Sequence, residues 1–215
     1  LVKENKMGTL KVNNLQKRDG TALITDGVAQ SGLLTPAALR SAGVGMIKLF
    51  VGSGTAAATF EIDETYINST YDDYFVTLNA SPATDTQQLR LNFNTGGSQN
   101  TNSYYAYETS VGSSSTYGYH HTGAAYIPLA YQSVGNATGE SQTNSFHLLN
   151  VNSSTHACQL HGHASMNTNS GDTQFGFVNG GFILAQRALV VNGFTLYFAS
   201  GNITVNNISV YGIIK

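Results

Sequence analysis

The chain has no tryptophan, a single cysteine, three prolines and few charges. One cysteine, Cys158, excludes an intrachain disulfide. Small secreted eukaryotic domains usually rely on several, so synthesis in a reducing compartment such as a bacterial cytoplasm fits better. Cys158 lies in a strand-like run between Ala157 and Gln159 and reads as a small buried hydrophobe. Charged residues make up 10% of the chain, against about 25% in ordinary soluble domains. The polar surface must therefore come from Asn, Ser, Thr, Gln and Gly. With a net charge of −2 there is no clustered Lys and Arg field for nucleic acid and no attraction to an anionic membrane. Weak charge instead suits copies that assemble with one another, because like charges repel across such contacts. No apolar run approaches a membrane span, and no signal peptide is visible. Nucleophile elbow, Walker loop, dinucleotide fingerprint and zinc-protease motif are all missing. The expectation is a protein that is not an enzyme and takes no cofactor.

What is present is alternation. Phe60 and Ile62 alternate with Glu61 and Asp63, Leu89, Leu91 and Phe93 with Arg90 and Asn92, and Phe194, Leu196 and Phe198 with Thr195 and Tyr197. Tyr74, Val76 and Leu78 form one more such face. Successive side chains of a strand point to opposite faces, so period-two runs predict half-buried strands. Further strands are expected at 47–51, 104–109, 145–151, 156–164, 175–178, 182–184, 188–191 and 203–211. Asn192-Gly193 and Gly201-Asn202 read as turns. The fold class that follows is all-β, an antiparallel jelly-roll-like β-sandwich over residues 46–215.

Residues 1–45 form a short N-terminal arm of different composition. Lys3, Lys6, Lys11, Lys17 and Arg18 carry half of all basic groups. They suit either a solvated terminus or an arm that docks on an acidic neighbour. Lys11, Lys17 and Arg18 are the candidates for anchoring. Two short strands are expected around Lys17-Arg18-Asp19-Gly20. Thr35 through Gly43 has the N-cap threonine, N1 proline and terminal glycine of a two-turn helix. With few large apolar residues, the arm must be disordered or packed on another chain.

Three clusters could carry chemistry. Tyrosines concentrate at Tyr104, Tyr105, Tyr107, Tyr117, Tyr119, Tyr126 and Tyr131. The first five flank two stretches expected to be exposed loops, Thr95–Ser103 and Gly112–Thr116. A ring with a hydroxyl suits sugar or protein contacts, so Tyr104, Tyr105, Tyr107, Tyr117 and Tyr119 are the candidate receptor-binding residues. The alternative is ordinary core packing. His161 and His163 share a strand face and could reach one metal ion, yet two ligands do not close a site. His120, His121, His147 and His156 complete the set, and the expectation is no metal. Glu61, Asp63, Glu64, Asp72 and Asp73 form an acidic group that could serve calcium or sugar hydrolysis, or merely protect a sheet edge.

Met7-Gly8-Thr9-Leu10-Lys11-Val12-Asn13-Asn14-Leu15-Gln16 with Asp19-Gly20-Thr21 is similar to fibre N-terminal starts. Phe60-Glu61-Ile62-Asp63, Tyr71-Asp72-Asp73-Tyr74 with Leu89-Arg90-Leu91, and the ending Gly201 to Ile213 are of the same flavour. On these stretches the chain resembles marine phage virion proteins of the tail-fibre and structural-protein type. The resemblance implies a virion component made in the bacterial host cytoplasm, often a homotrimer, with a β-sandwich head. It implies other virion proteins as partners of the arm and a host cell-surface glycan or protein as partner of the head. Tail fibre or spike, capsid decoration protein, and polysaccharide-degrading spike are the three roles it leaves, in that order.

Overall fold

Period-two patterning becomes strand after strand from residue 46 onward. The computed structural model describes residues 45–71, 73–112 and 116–213, and in the first 44 residues three short strands. The chain divides into two units, Leu1–Val44 and Gly45–Lys215. In the first, β1 (Leu15–Gln16), β2 (Ala22–Thr25) and β3 (Val28–Ala29) form an antiparallel three-stranded sheet. Pairing of Leu15 with Ile24 makes the hairpin expected around Lys17-Arg18. Lys11, Lys17, Arg18 and the helix expected at Thr35–Gly43 lie outside the described residues.

The second unit is all-β. Its strands are β4 (Met46–Ala57), β5 (Phe60–Ile62), β6 (Asp73–Pro82), β7 (Leu89–Thr95), β8 (Ser98–Gln99) and β9 (Tyr105–Gly112). They continue as β10 (Thr116–Ala124), β11 (Ile127–Pro128), β12 (Gln142–Leu149), β13 (Gln159–Asn167) and β14 (Thr173–Phe182). The last two are β15 (Val191–Phe198) and β16 (Ile203–Ile213). A 3₁₀ turn at Leu184–Gln186 is the one helical element among the described residues, where a strand end was expected. Two antiparallel sheets pack together as a β-sandwich. One has eight strands in the order β10-β9-β14-β13-β12-β6-β16-β4, and the other has the order β11-β7-β15-β5, with β8 beside β7.

The chain passes back and forth between the sheets. Four strands of the large sheet, in the order β12-β6-β16-β4, and four of the small one, β11-β7-β15-β5, alternate along the sequence except at β7 and β11, which both belong to the small sheet and pair with each other. The remaining four arrive as two insertions, β9–β10 between β7 and β11, and β13–β14 between β12 and β15. They pair with each other through β14 and β9 and lengthen the large sheet beyond β12.

Between the sheets lie Val76, Leu78, Leu91, Phe93, Phe146 and Phe194, all essentially inaccessible. Phe146 meets Phe194 edge-on, with ring centroids 6.1 Å apart at 75°. Full burial of each such side chain contributes about 1.5–3 kcal/mol. Cys158 is buried as expected, and burial pushes its thiol pKa up.

Two local expectations are corrected. Asn192-Gly193 is no hairpin turn: both residues lie inside β15, at a bulge where the register against β7 shifts between Val191 and Gly193. Glycine is needed there because a Cβ would stand 2.6 Å from the Ile62 carbonyl oxygen. The turn at Gly201-Asn202 is present, with Gly201 at φ 76° between β15 and β16. Thr95–Ser103 is not simply an exposed loop. It contains β8, and Asn100 is buried, with its carbonyl accepting from the Asn92 side chain at 2.7 Å. Of Gly112–Thr116, the first residue ends β9, the last begins β10, and the three between lie outside the described residues.

Candidate binding cleft

The large sheet is wider than the small one, and the excess is the pair of insertions. Strand β11 is the edge of the small sheet. It packs against β9 and β14, with Ile127 set against the backbone of Gly180. Beyond β11, the hairpin β9–β10 overhangs. Cross-strand pairing sets Tyr119 opposite Thr109 and His121 opposite Tyr107, so these four share one face. That face, together with Tyr126, Pro128, Tyr131, Gln88 and Gln132, encloses a cleft of about 430 Å³.

Aromatic rings form its wall. The Tyr107 and Tyr126 rings are stacked with centroids 6.5 Å apart and planes 20° from parallel. Tyr119 lies 6.1 Å from Tyr107 and stacks on His121 at 6.2 Å and 9°. Behind Tyr126, the guanidinium carbon of Arg90 sits 3.9 Å from the ring centroid, a cation–π contact. Arg90 Nε is buried and takes no hydrogen bond among the described residues. The guanidinium thus lies on the Tyr126 ring. Burial raises the Tyr107 pKa, the neighbouring Tyr126 and Tyr119 add to the shift, and Arg90 opposes it. The phenol is a neutral hydrogen-bonding group at ordinary pH. Tyr119 is 48% exposed, so a flat apolar face and a hydroxyl meet solvent at the mouth.

Of the five tyrosines singled out from sequence, two line this cleft. Tyr107 is its floor and Tyr119 its mouth. Tyr105 is a core residue, not a surface one. Its hydroxyl donates to the Asn100 carbonyl at 2.7 Å and accepts from the Phe93 amide at 3.0 Å, and burial raises its pKa. A hydroxyl so placed closes the sandwich end and has no free face to offer. Tyr104 is half-buried beside it, its carbonyl bonded to Ile183 N. The Tyr117 side chain lies outside the described residues. Sequence reasoning missed Arg90, Gln88 and Gln132. Arg90 was visible only as the polar partner in an alternating strand, and nothing local marks a cation that will sit under a ring 36 residues away.

The other clusters do not converge. His161 and His163 share the outer face of β13 as expected, with rings 6.2 Å apart. His161 Nδ1 is hydrogen-bonded to Asn179 Oδ1 at 2.8 Å. Among the described residues no three His, Cys, Asp or Glu side chains come close enough to hold a metal ion. In the acidic group, Glu61 accepts from the Asn94 side chain on the edge strand β5. Asp63 lies past the end of β5 and accepts from Thr65 N at 3.0 Å, and Asp73 accepts from Asn150 N at 3.0 Å. Because β5 ends at Ile62, Glu61 and Asp63 are not two positions of one strand, and Asp72 lies outside the described residues. No helix among the described residues is long and apolar enough to cross a membrane.

No family model, no curated protein and no solved structure matches this chain.

Proposed function

We propose that the protein is an attachment subunit of a phage virion, a tail fibre or spike whose β-sandwich head presents the tyrosine cleft to a host-surface glycan. The observation that carries this reading is the cleft itself: Tyr107, Tyr119, Tyr126 and Tyr131 with Gln88 and Gln132 around an open-sided groove. Stacked rings match the apolar faces of sugar rings, and the amide and phenol groups match their hydroxyls. The site has groups to bind with and no converging acid and base to react with, which favours adhesion over polysaccharide cleavage. The jelly-roll form of the sandwich is supported by the interleaved strand orders β12-β6-β16-β4 and β11-β7-β15-β5. The homotrimeric state, the virion location and anchoring through Lys11, Lys17 and Arg18 belong to the same proposal and rest on the resemblance noted above.

Competition tests it. Purified protein should slow adsorption of the parent phage to its host, and Tyr119→Ala protein should not. Equal inhibition by both proteins would dismiss the cleft as the contact surface.

A further inference from the structure

The face of the large sheet that looks away from the small sheet carries a second feature, independent of the cleft. Phe175 and Phe177 on β14 are 60% and 55% exposed. Beside them runs a groove of about 510 Å³ whose other walls are short side chains, among them Thr77, Thr143, Ser145 and Ser165. His163 leans on Phe177, with ring centroids 5.2 Å apart. A pair of large rings next to a trough of small residues, on one face, is a shape that can mate with itself.

Charge narrows the occupant. From Phe75 to Ser81 on β6, and along β12, β13 and β14, no outward position carries Asp, Glu, Lys or Arg. Asp73, at the end of β6, accepts from the Asn150 amide. Other charges stand around the border of the face: Glu108 on β9 and Lys48 on β4 toward either flank, and Glu140 and Asp172 at the strand ends. Contact between identical faces brings each charge near its own copy, so a face built for self-contact must be cleared of them. A partner recognised by opposite charge would need what this face lacks. Size agrees. Eight strands about 4.8 Å apart and about 25 Å long present roughly 900 Å², and the four charge-free ones about half of that, so the contact is centred on those four and takes in the flanks to reach the ~800 Å² per partner of a stable interface.

We propose that this outer face is the contact surface between copies of this chain, with Phe175 and Phe177 of one copy seated in the Thr77–Thr143–Ser145–Ser165 trough of the next. Exposed rings of this size have no stabilising role in the isolated subunit, and in the contact they act as its central anchors. The inference does not rest on the glycan reading: a monomer that binds glycan would overturn this one, together with the oligomeric state proposed above, and leave the glycan cleft standing.

Sedimentation velocity of the full chain at micromolar concentration is the test. The native protein is expected to run as two or three copies. Phe177→Glu, on the ring side, and Thr143→Arg, on the trough side, should each raise the dissociation constant by about 10–100-fold. Both substitutions are at exposed positions, and the thermal melt of each variant verifies that it is folded. A native protein that sediments as one copy overturns the proposal. So does an oligomer that survives both substitutions in folded protein.

Discussion

The sandwich proper and its extension are built from the same kind of strand and filled differently. Between β12-β6-β16-β4 and β11-β7-β15-β5, inward positions are mostly large and apolar, as at Val76, Leu91, Phe146, Phe194 and Val210, with Gln142 and Asn144 as buried polar exceptions on β12. In the extension the inward row of β9 and β10 reads Tyr105, Tyr107, Thr109, Tyr119 and His121. Past β11 the small sheet no longer covers it, and side chains there keep a polar end because water is within reach. Outward, the sandwich strands β12 and β6 show chiefly Ser, Thr and Asn with Phe75 and His147, and the extension shows Phe175 and Phe177. Stability resides in the first region. The second region carries the tyrosine cleft on one face and Phe175 and Phe177 on the other.

That contrast is broken most easily from the core. Phe146→Ala should cost about 3–5 kcal/mol, measured by urea unfolding, because a ring packed edge-on against Phe194 leaves a cavity that two sheets cannot close. A loss under ~1 kcal/mol would mean that the stable core lies elsewhere.

Next in size is Tyr105→Phe, at the seam between the regions. Removing the hydroxyl leaves the Phe93 amide without that partner and should cost about 1–3 kcal/mol. The same residue gives the fold an alkaline limit. Its pKa is raised from 10.0 by burial, and that of Cys158 from 9.0, so the unfolded chain releases these protons first. The native state then binds more protons than the unfolded one, and stability falls as pH rises above these ordinary values. Each group contributes a slope of up to ~1.4 kcal/mol per pH unit. Tyr105→Phe should remove its share of the slope above pH 10, and an unchanged slope would assign the alkaline transition to other groups. Cys158 should resist thiol reagents until the protein unfolds; rapid modification of native protein would show that the core opens there.

The smallest expected effect on stability is at the cleft. Tyr119→Ala removes a ring that is 48% exposed, and should change unfolding free energy by no more than about 0.5 kcal/mol. A loss as large as that of Tyr105→Phe would make Tyr119 a packing residue and remove the distinction between the two regions.

Much of the sandwich was legible from local pattern. Alternation at 74–78, 89–93 and 194–198 became β6, β7 and β15, because a half-buried strand writes its two faces into consecutive residues. Pairing is not local, and there the reading stopped. Nothing near residue 105 says that β9 will join β14, some 70 residues on, and widen one sheet past the other. The cleft exists because of that overhang, so tyrosine clustering reaches its lining at Tyr107 and Tyr119 and falls in the core at Tyr105. Asn192-Gly193 has the composition of a turn, and the approach of the Ile62 carbonyl makes it a bulge instead. Tertiary contact decided between two roles that a glycine fills equally well.

The central claim is that ligand meets the extension at the tyrosine cleft. Nuclear magnetic resonance of protein labelled in its tyrosine rings, titrated with host-surface polysaccharide, reads this residue by residue. The rings of Tyr107, Tyr119, Tyr126 and Tyr131 should shift in a saturable manner while the ring of Tyr105 stays still. Saturable binding with those four rings unmoved would contradict it.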